Sequence, residues 1–591
     1  APMFRPTERQ TSLLEAGFLL PESKRARLSK SWAQPFRTRV MPLIDEEIFR
    51  DAFCSDNGRP NFSIRTLTGA HLLKEWNDLT DQQVIEQVEF NLQWQYALGI
   101  TPEEAHLVQR TMHSYRVILT QSDRARRMFE DLTRKLAEAD GLSMGRQRLD
   151  STHILSNIAV LTRLTLFVET VTHFLRVLRK DLPERLSGLD GRFQKRYLER
   201  EGYFADAKRE QAQRRLPVVA TDVFELVRAF EEDAQVLDLA AFVLLRRLFE
   251  EQCEVVQDDD ADGSAGDSGH SDDAVAPTPK VQLREPKTVS SSSLQSPHDS
   301  DATYGHKGKG YEVQLAETCV DDNPYQLVTA VAVNGAHESD QAATMPVLEQ
   351  LAASGMVPEE MFADTGYGSG ANIVASAEFG VDLQAPVQDP KAPARVDRFL
   401  TIDQPEPETA VIATAPEAEL DCESLPLDDA WVQAGLPDGI DLASFAFTAT
   451  FQHLFACPND QVPVSQHVAG GVLFANFSAE QCSGCALSSL CPTLELKGGA
   501  RQLRRAPSTI ATEVRQYEQR TARFKERYRI RSGIESTNST LKGPHGLGKL
   551  RVRGKLRVQV AAMLKALALN TRRVAKYHVT LLTAVEESCT A

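Results

Sequence analysis

Between Tyr304 and Gly368 the chain changes its periodicity three times, and that succession limits the fold more than any other stretch. Tyr311 to Thr318 and Tyr325 to Val333 carry the β-branched and aromatic content of two buried strands, joined by the turn residues Asp321-Asp322-Asn323-Pro324. Met345 to Leu351 is helical, Met361-Phe362-Ala363 is a short strand, and Asp364-Thr365-Gly366-Tyr367-Gly368 breaks it. Strand, hairpin, helix, strand is the order of a mixed α/β sheet. Asp364 therefore falls at a strand's C-terminal end, where such sheets usually carry chemistry. Far upstream, Arg148-Leu149-Asp150-Ser151-Thr152-His153-Ile154 reads as another short strand, so any sheet must be assembled from distant pieces.

A chain of 591 residues is too long for one core, since domains usually hold about 100–200 residues. Residues 3–145 read as a helical N-terminal domain: Leu67, Leu72, Leu73, Trp76 and Leu79 keep helical spacing, and Thr80-Asp81-Gln82-Gln83 is a capping-box start. Residues 146–160 hold the first strand, 161–256 a helical insert, and 257–300 an acidic, Ser- and Gly-rich stretch with too few apolar groups to fold, hence a disordered linker. The sheet resumes over 301–387. An insertion follows over 388–500, acidic at first and then bearing a cysteine cluster. The basic helical segment 501–591 closes the chain.

The net charge of −16 argues against a polyanionic partner, but the distribution reverses the argument. Arg501 to Thr580 holds 20 Lys and Arg against 4 Glu and no Asp, a balance of +16, which leaves about −32 on the rest. Lys24 to Arg39 adds six basic residues and no acidic one, and leaves DNA binding open for the N-terminal unit. Charge so segregated suits one polyanion-facing surface. No run approaches the roughly 18 apolar residues of a membrane span, so a cytosolic protein with no membrane partner is expected.

Within the basic segment, Tyr528, Arg531, Glu535 and Lys542 stand at offsets of 3, 7 and 14 residues. At about 100° per residue they share one helix face. Gly533 weakens that helix by about 1 kcal/mol relative to Ala. Spacing alone fits a solvated charged face equally well. A second cluster, Cys457, Cys482, Cys485 and Cys491, has the ligand count of a closed structural zinc site, with the two-residue gap between Cys482 and Cys485 as a knuckle. Buried free thiols are the alternative, and His467 could replace Cys457 as fourth ligand.

The Tyr-x2-Arg-x3-Glu-x6-Lys pattern resembles the signature of a large group of DDE transposases from bacterial insertion sequences. The sequence is also similar to that group at Leu149-Asp150-Ser151-Thr152-His153, at Tyr304-Gly305-His306-Lys307-Gly308-Lys309-Gly310-Tyr311 and at Ala363-Asp364-Thr365-Gly366-Tyr367, in the family's order. The resemblance implies an RNase H-like α/β core, a mixed sheet with flanking helices, in which Asp150, Asp364 and Glu535 are the catalytic carboxylates and bind two Mg²⁺ or Mn²⁺ ions. Tyr528, Arg531 and Lys542 would then contact DNA, joined by His306 and Lys307 on a strand beside the site. It further implies double-stranded DNA as partner, both as element ends and as target, and a homodimer or higher assembly on that DNA. The activity expected is cleavage at terminal inverted repeats and joining of 3′-hydroxyls to target DNA. A metal-dependent nuclease without strand transfer, or a silent DNA-binding regulator, would share the fold.

Overall fold

The computed structural model describes residues 2–7, 20–55, 58–155, 162–199, 209–256, 280–388 and 440–590. The helical elements used below begin with α1 (Ile64–Trp76) and α2 (Arg124–Asp140). Strand β1 (Arg146–Leu155) is followed by the insert helices α3 (Arg163–Asp181), α4 (Arg209–Ala229) and α5 (Ala240–Gln252). Then come β2 (Gly308–Thr318), β3 (Val328–Gly335), α6 (Asp340–Ser354), β4 (Glu360–Ala363), α7 (Gly370–Glu378) and β5 (Asp382–Gln384). The C-terminal part supplies α8 (Pro507–Glu518), α9 (Ala522–Tyr528), α10 (Ile534–Lys542) and α11 (Lys555–Thr590).

The main sheet runs β3-β2-β1-β4-β5. β1, β2 and β3 are antiparallel neighbours, while β4 and β5 run parallel to β1. Such a mixed sheet is buried on both faces, so its strands alternate between two cores rather than between core and water. Leu149 and Ala316 enter one core with Val347, Leu351 and Ile373 from α6 and α7. Ile154, Val313 and Leu315 enter the other, against α11 and the N-terminal helices.

The second core is shared between the N-terminal helices and α11. Phe36, Leu72, Phe129 and Leu136 share it with Met563, Leu567 and Val574 of α11. Trp76 Nε1 donates to Thr571 Oγ1 at 2.9 Å, and the buried Lys565 Nζ reaches Glu75 at 2.6 Å. α11 is 36 residues long, well beyond the apolar centre visible in the sequence, because it is wrapped by α1 and α2 over much of that length. The capping box at Thr80 and Gln83 is present as read.

The insert helices form their own core around Phe167, Phe174, Val223 and Phe242. Residues 257–279 of the expected linker lie outside the described residues. Residues 280–300 are ordered, contrary to expectation. Lys280–Leu283 pairs with Cys253–Val256, Leu294 is buried in the insert core, and the polar groups are satisfied locally. Arg247 donates to the Ser292 and Ser300 carbonyls at 2.9 and 3.0 Å, and Asp299 accepts from the Tyr311 hydroxyl at 2.5 Å. Composition missed this because Ser and Asp found protein partners in place of water. Of the insertion, 389–439 lies outside the described residues. The remainder builds a four-stranded antiparallel sheet from Ser465–Ala469, Val472–Phe477, Arg501–Arg505 and Leu494–Glu495. Among the described residues no helix is long and apolar enough to cross a membrane.

Candidate active site

β1 and β4 pair with Leu149 opposite Ala363, so the next residues, Asp150 and Asp364, leave adjacent parallel strands side by side. β4 ends there, whereas β1 continues to Leu155 against β2 alone. The pairing of the two strands stops there, and both carboxylates stand at that point.

Asp150 Oδ2 accepts from Asn538 Nδ2 at 3.0 Å, and Arg531 Nη1 lies 3.7 Å from its Oδ1. Burial pushes the Asp150 carboxyl up to about 6; the Arg531 charge opposes this, and Asp364 and Asp340 reinforce it. Asp364 Oδ1 accepts from the Gly366 amide at 2.7 Å, which closes the turn after β4. A Cβ at Gly366 would stand 2.9 Å from Asp364 Oδ1 and 3.3 Å from Asp340 Oδ2, so the glycine leaves room for both carboxylates beside this turn. Asp340 begins α6 and accepts from Gln314 Nε2 at 3.0 Å; Gln314 in turn accepts from the buried Tyr367 hydroxyl. Neither Asp340 nor Asn538 was singled out in the sequence. The traceable signals are a helix N-terminus directly after β3 and a position three residues beyond Glu535.

Glu535 is 69% exposed and lies 3.8 Å from Arg531 Nη2, so Arg531 stands between it and Asp150. The single helix expected over 528–542 is broken. Arg529–Gly533 is a 3₁₀ turn between α9 and α10. A 3₁₀ turn advances about 120° per residue, so the common face does not run straight through it. Tyr528 points inward rather than to an exposed DNA-facing position: its hydroxyl donates to the Ala363 carbonyl at 3.0 Å, and burial pushes it up to about 12. Lys542, at the end of α10, is exposed. Partial burial lowers its ammonium, and Lys307 close by acts in the same direction, against Glu312 and Asp150. His306 and Lys307 are the two exposed turn residues of the hairpin between Thr303–Gly305 and β2, not strand residues as expected. The hairpin nevertheless brings Lys307 to Lys542.

Cys457, Cys482, Cys485 and Cys491 are half-buried free thiols close enough to sense one another's charge. Burial raises the Cys457 thiol against the opposing pull of the Asn459 and Gln461 backbone, and Thr493 Oγ1 donates to Cys491 Sγ at 3.1 Å. His467 is stacked on Phe474 with ring centroids 5.1 Å apart. Among the described residues no three His, Cys, Asp or Glu side chains are gathered tightly enough to hold a metal ion, at the cysteines or at the carboxylates. The carboxylate set still suits a hard cation in its chemistry. Asp150 is desolvated, stands beside Asp364 and Asp340, and has one guanidinium at 3.7 Å to offset them.

Residues 456–575 match the family model described as Transposase DDE domain, and residues 27–117 match the Transposase domain (DUF772). No curated protein and no solved structure matches. The first match spans the cysteine cluster and Glu535. Asp150 and Asp364 lie outside both. The chain thus carries two domain types typical of bacterial insertion-sequence transposases.

Proposed function

From a chain that carries two transposase domains, we propose a DNA transposase whose phosphoryl-transfer site is Asp150, Asp364 and Glu535 on an RNase H-like core. The observation that carries this is the β1–β4 register, which sets Asp150 beside Asp364, with Arg531 spanning the gap to Glu535. The strand order, three antiparallel strands followed by two parallel to the first, supports the same reading.

The three carboxylates would hold Mg²⁺ or Mn²⁺, which when bound activates the attacking oxygen and stabilises the leaving oxygen of a phosphodiester. The chain's own groups do the rest. Arg531 neutralises Asp150 and Glu535 and offers its remaining N–H groups to a phosphate; Lys542 and Lys307 hold the DNA backbone as point charges. Tyr528 fixes the end of β4 and with it Asp364. His306, at the hairpin tip, faces the same DNA. The protein acts at the terminal inverted repeats of its element, as a dimer or higher assembly that holds two ends, and joins their 3′-hydroxyls to target DNA. The four cysteines would hold a structural zinc ion only by drawing closer together than they stand here. Zinc content of about one per chain, lost on Cys482→Ser, tests that part.

The experiment for the main reading supplies Mg²⁺, target plasmid and duplexes cut at the borders of the gene's flanking DNA. Strand-transfer products that vanish in Asp150→Asn, Asp364→Asn and Glu535→Gln are expected. Cleavage without joining would leave a nuclease. Activity unchanged in any of the three would refute the assignment.

A further inference from the structure

Beneath the helix that carries Glu535 lies a carboxylate with no exposure. Glu317 of β2 is fully buried, and both of its oxygens are engaged. Oε2 accepts from Arg148 Nε at 2.8 Å and Nη2 at 2.7 Å. Oε1 accepts from Arg573 Nη1 at 2.6 Å and from Thr537 Oγ1 at 2.5 Å. Thr537 in turn accepts from Arg573 Nη2 at 2.6 Å, so its hydroxyl both donates and accepts. Taking a carboxylate and two guanidiniums out of water gains little net stability over apolar packing. What such a fully satisfied network supplies is a fixed geometry.

The geometry it fixes is that of the 3₁₀ break. In an unbroken α-helix the Ile530 carbonyl would accept from the Ile534 amide. Here the Ile534 amide turns to Arg531, and the freed Ile530 carbonyl accepts from Arg148 Nη1 at 2.9 Å. Gly533 lies against the same guanidinium: a Cβ there would stand 1.9 Å from Arg148 Nη1. The break, the glycine and the arginine form one joint. Arg531 is on one side of it and Glu535 on the other.

We infer that Arg148, clamped by Glu317, is a positioning residue that sets the bend between Arg531 and Glu535 and so aims Glu535 toward Asp150 and Asp364. Arg148 stands two residues before Asp150 on β1, so one strand carries both a carboxylate of the site and the group that orients another. The inference rests on the reading of Glu535 as a metal-holding carboxylate. It adds a role for Arg148, Glu317 and Gly533, which no part of that reading requires.

Mn²⁺ binding to the full-length protein, followed by electron paramagnetic resonance without DNA, tests it. Arg148→Lys is expected to weaken Mn²⁺ about tenfold, in the range found when groups that orient metal ligands are removed. Gly533→Ala, which pushes the guanidinium away without removing it, should act in the same direction. Combining Arg148→Lys with Glu535→Gln should weaken binding no further than Glu535→Gln alone, because both act through one carboxylate. A purely structural role would lower the number of binding-competent molecules and leave their affinity untouched. That outcome, or wild-type affinity in both Arg148→Lys and Gly533→Ala while Glu535→Gln is weakened, overturns the inference and spares the carboxylate reading. Wild-type affinity in Glu535→Gln and Asp150→Asn overturns both.

Discussion

Replacing Asp150 by Asn should make the metal-free protein more stable, and only above a defined pH. The Asp150 carboxyl sits at about 6 against an ordinary value of 3.8, chiefly because burial disfavours its charged form. Well below pH 4, at about pH 3, the group is protonated whether the chain is folded or not, and it contributes nothing. Between about 4 and 6 the folded state keeps a proton that the unfolded state releases, so stability falls as pH rises. Above 6 the full penalty is present. A shift of about two units corresponds to about 3 kcal/mol. With its side chain 15% exposed, Asp150 needs no large discount for solvent screening. The assay is urea unfolding of wild type and Asp150→Asn in EDTA at about pH 3, 6 and 8. The variant should match wild type at the lowest pH and exceed it by about 3 kcal/mol at the highest. Mg²⁺ should then narrow the gap by stabilising wild type alone. An advantage that does not depend on pH, or a less stable variant at pH 8, would refute the claim that Asp150 is held in a desolvated carboxylate cluster.

Three further outcomes are expected. Lys565→Met removes one of the two ammonium partners of buried Glu75, Lys74 remaining, and should cost about 1.5–3 kcal/mol, read as a lower melting temperature and as earlier proteolysis between the N-terminal helices and α11. Tyr528→Phe removes the bond to the Ala363 carbonyl; a loss of about 1 kcal/mol with reduced cleavage and unchanged DNA affinity is expected, and a large loss of affinity would instead put the phenol on DNA. Lys542→Ala should lower the salt dependence of DNA binding by about one phosphate contact without altering sequence preference, and Lys307→Ala should do the same.

Much of this was legible before any fold was known, for reasons that are local. Residues 311–333 and 361–363 announce strands because buried strands need β-branched and aromatic side chains, and the break at Asp364 marks where β4 must end. The capping box at Thr80 is written into four consecutive residues. The spacing from Tyr528 to Lys542 drew attention to the side chains proposed for the site, although the straight helix it suggested does not form. What prevents it is Arg148, nearly 400 positions away, whose guanidinium takes the Ile530 carbonyl and the space beside Gly533. No local pattern can report a competitor so distant in sequence.

The same limit explains the other corrections. The apolar stripes of the N-terminal helices do not say what covers them; α11 does, from far along the sequence. Residues 280–300 read as unfolded because their polar groups lack partners nearby in sequence, yet find them on α5 and β2. Asp340 joins the carboxylates only because α6 starts beside the turn after β4. The sequence by itself determined which residues could build strands, helices and a carboxylate site. The tertiary structure decided which of them meet, because hydrogen-bond partners, burial and the field of neighbouring charges are set by contacts between segments that share no local pattern.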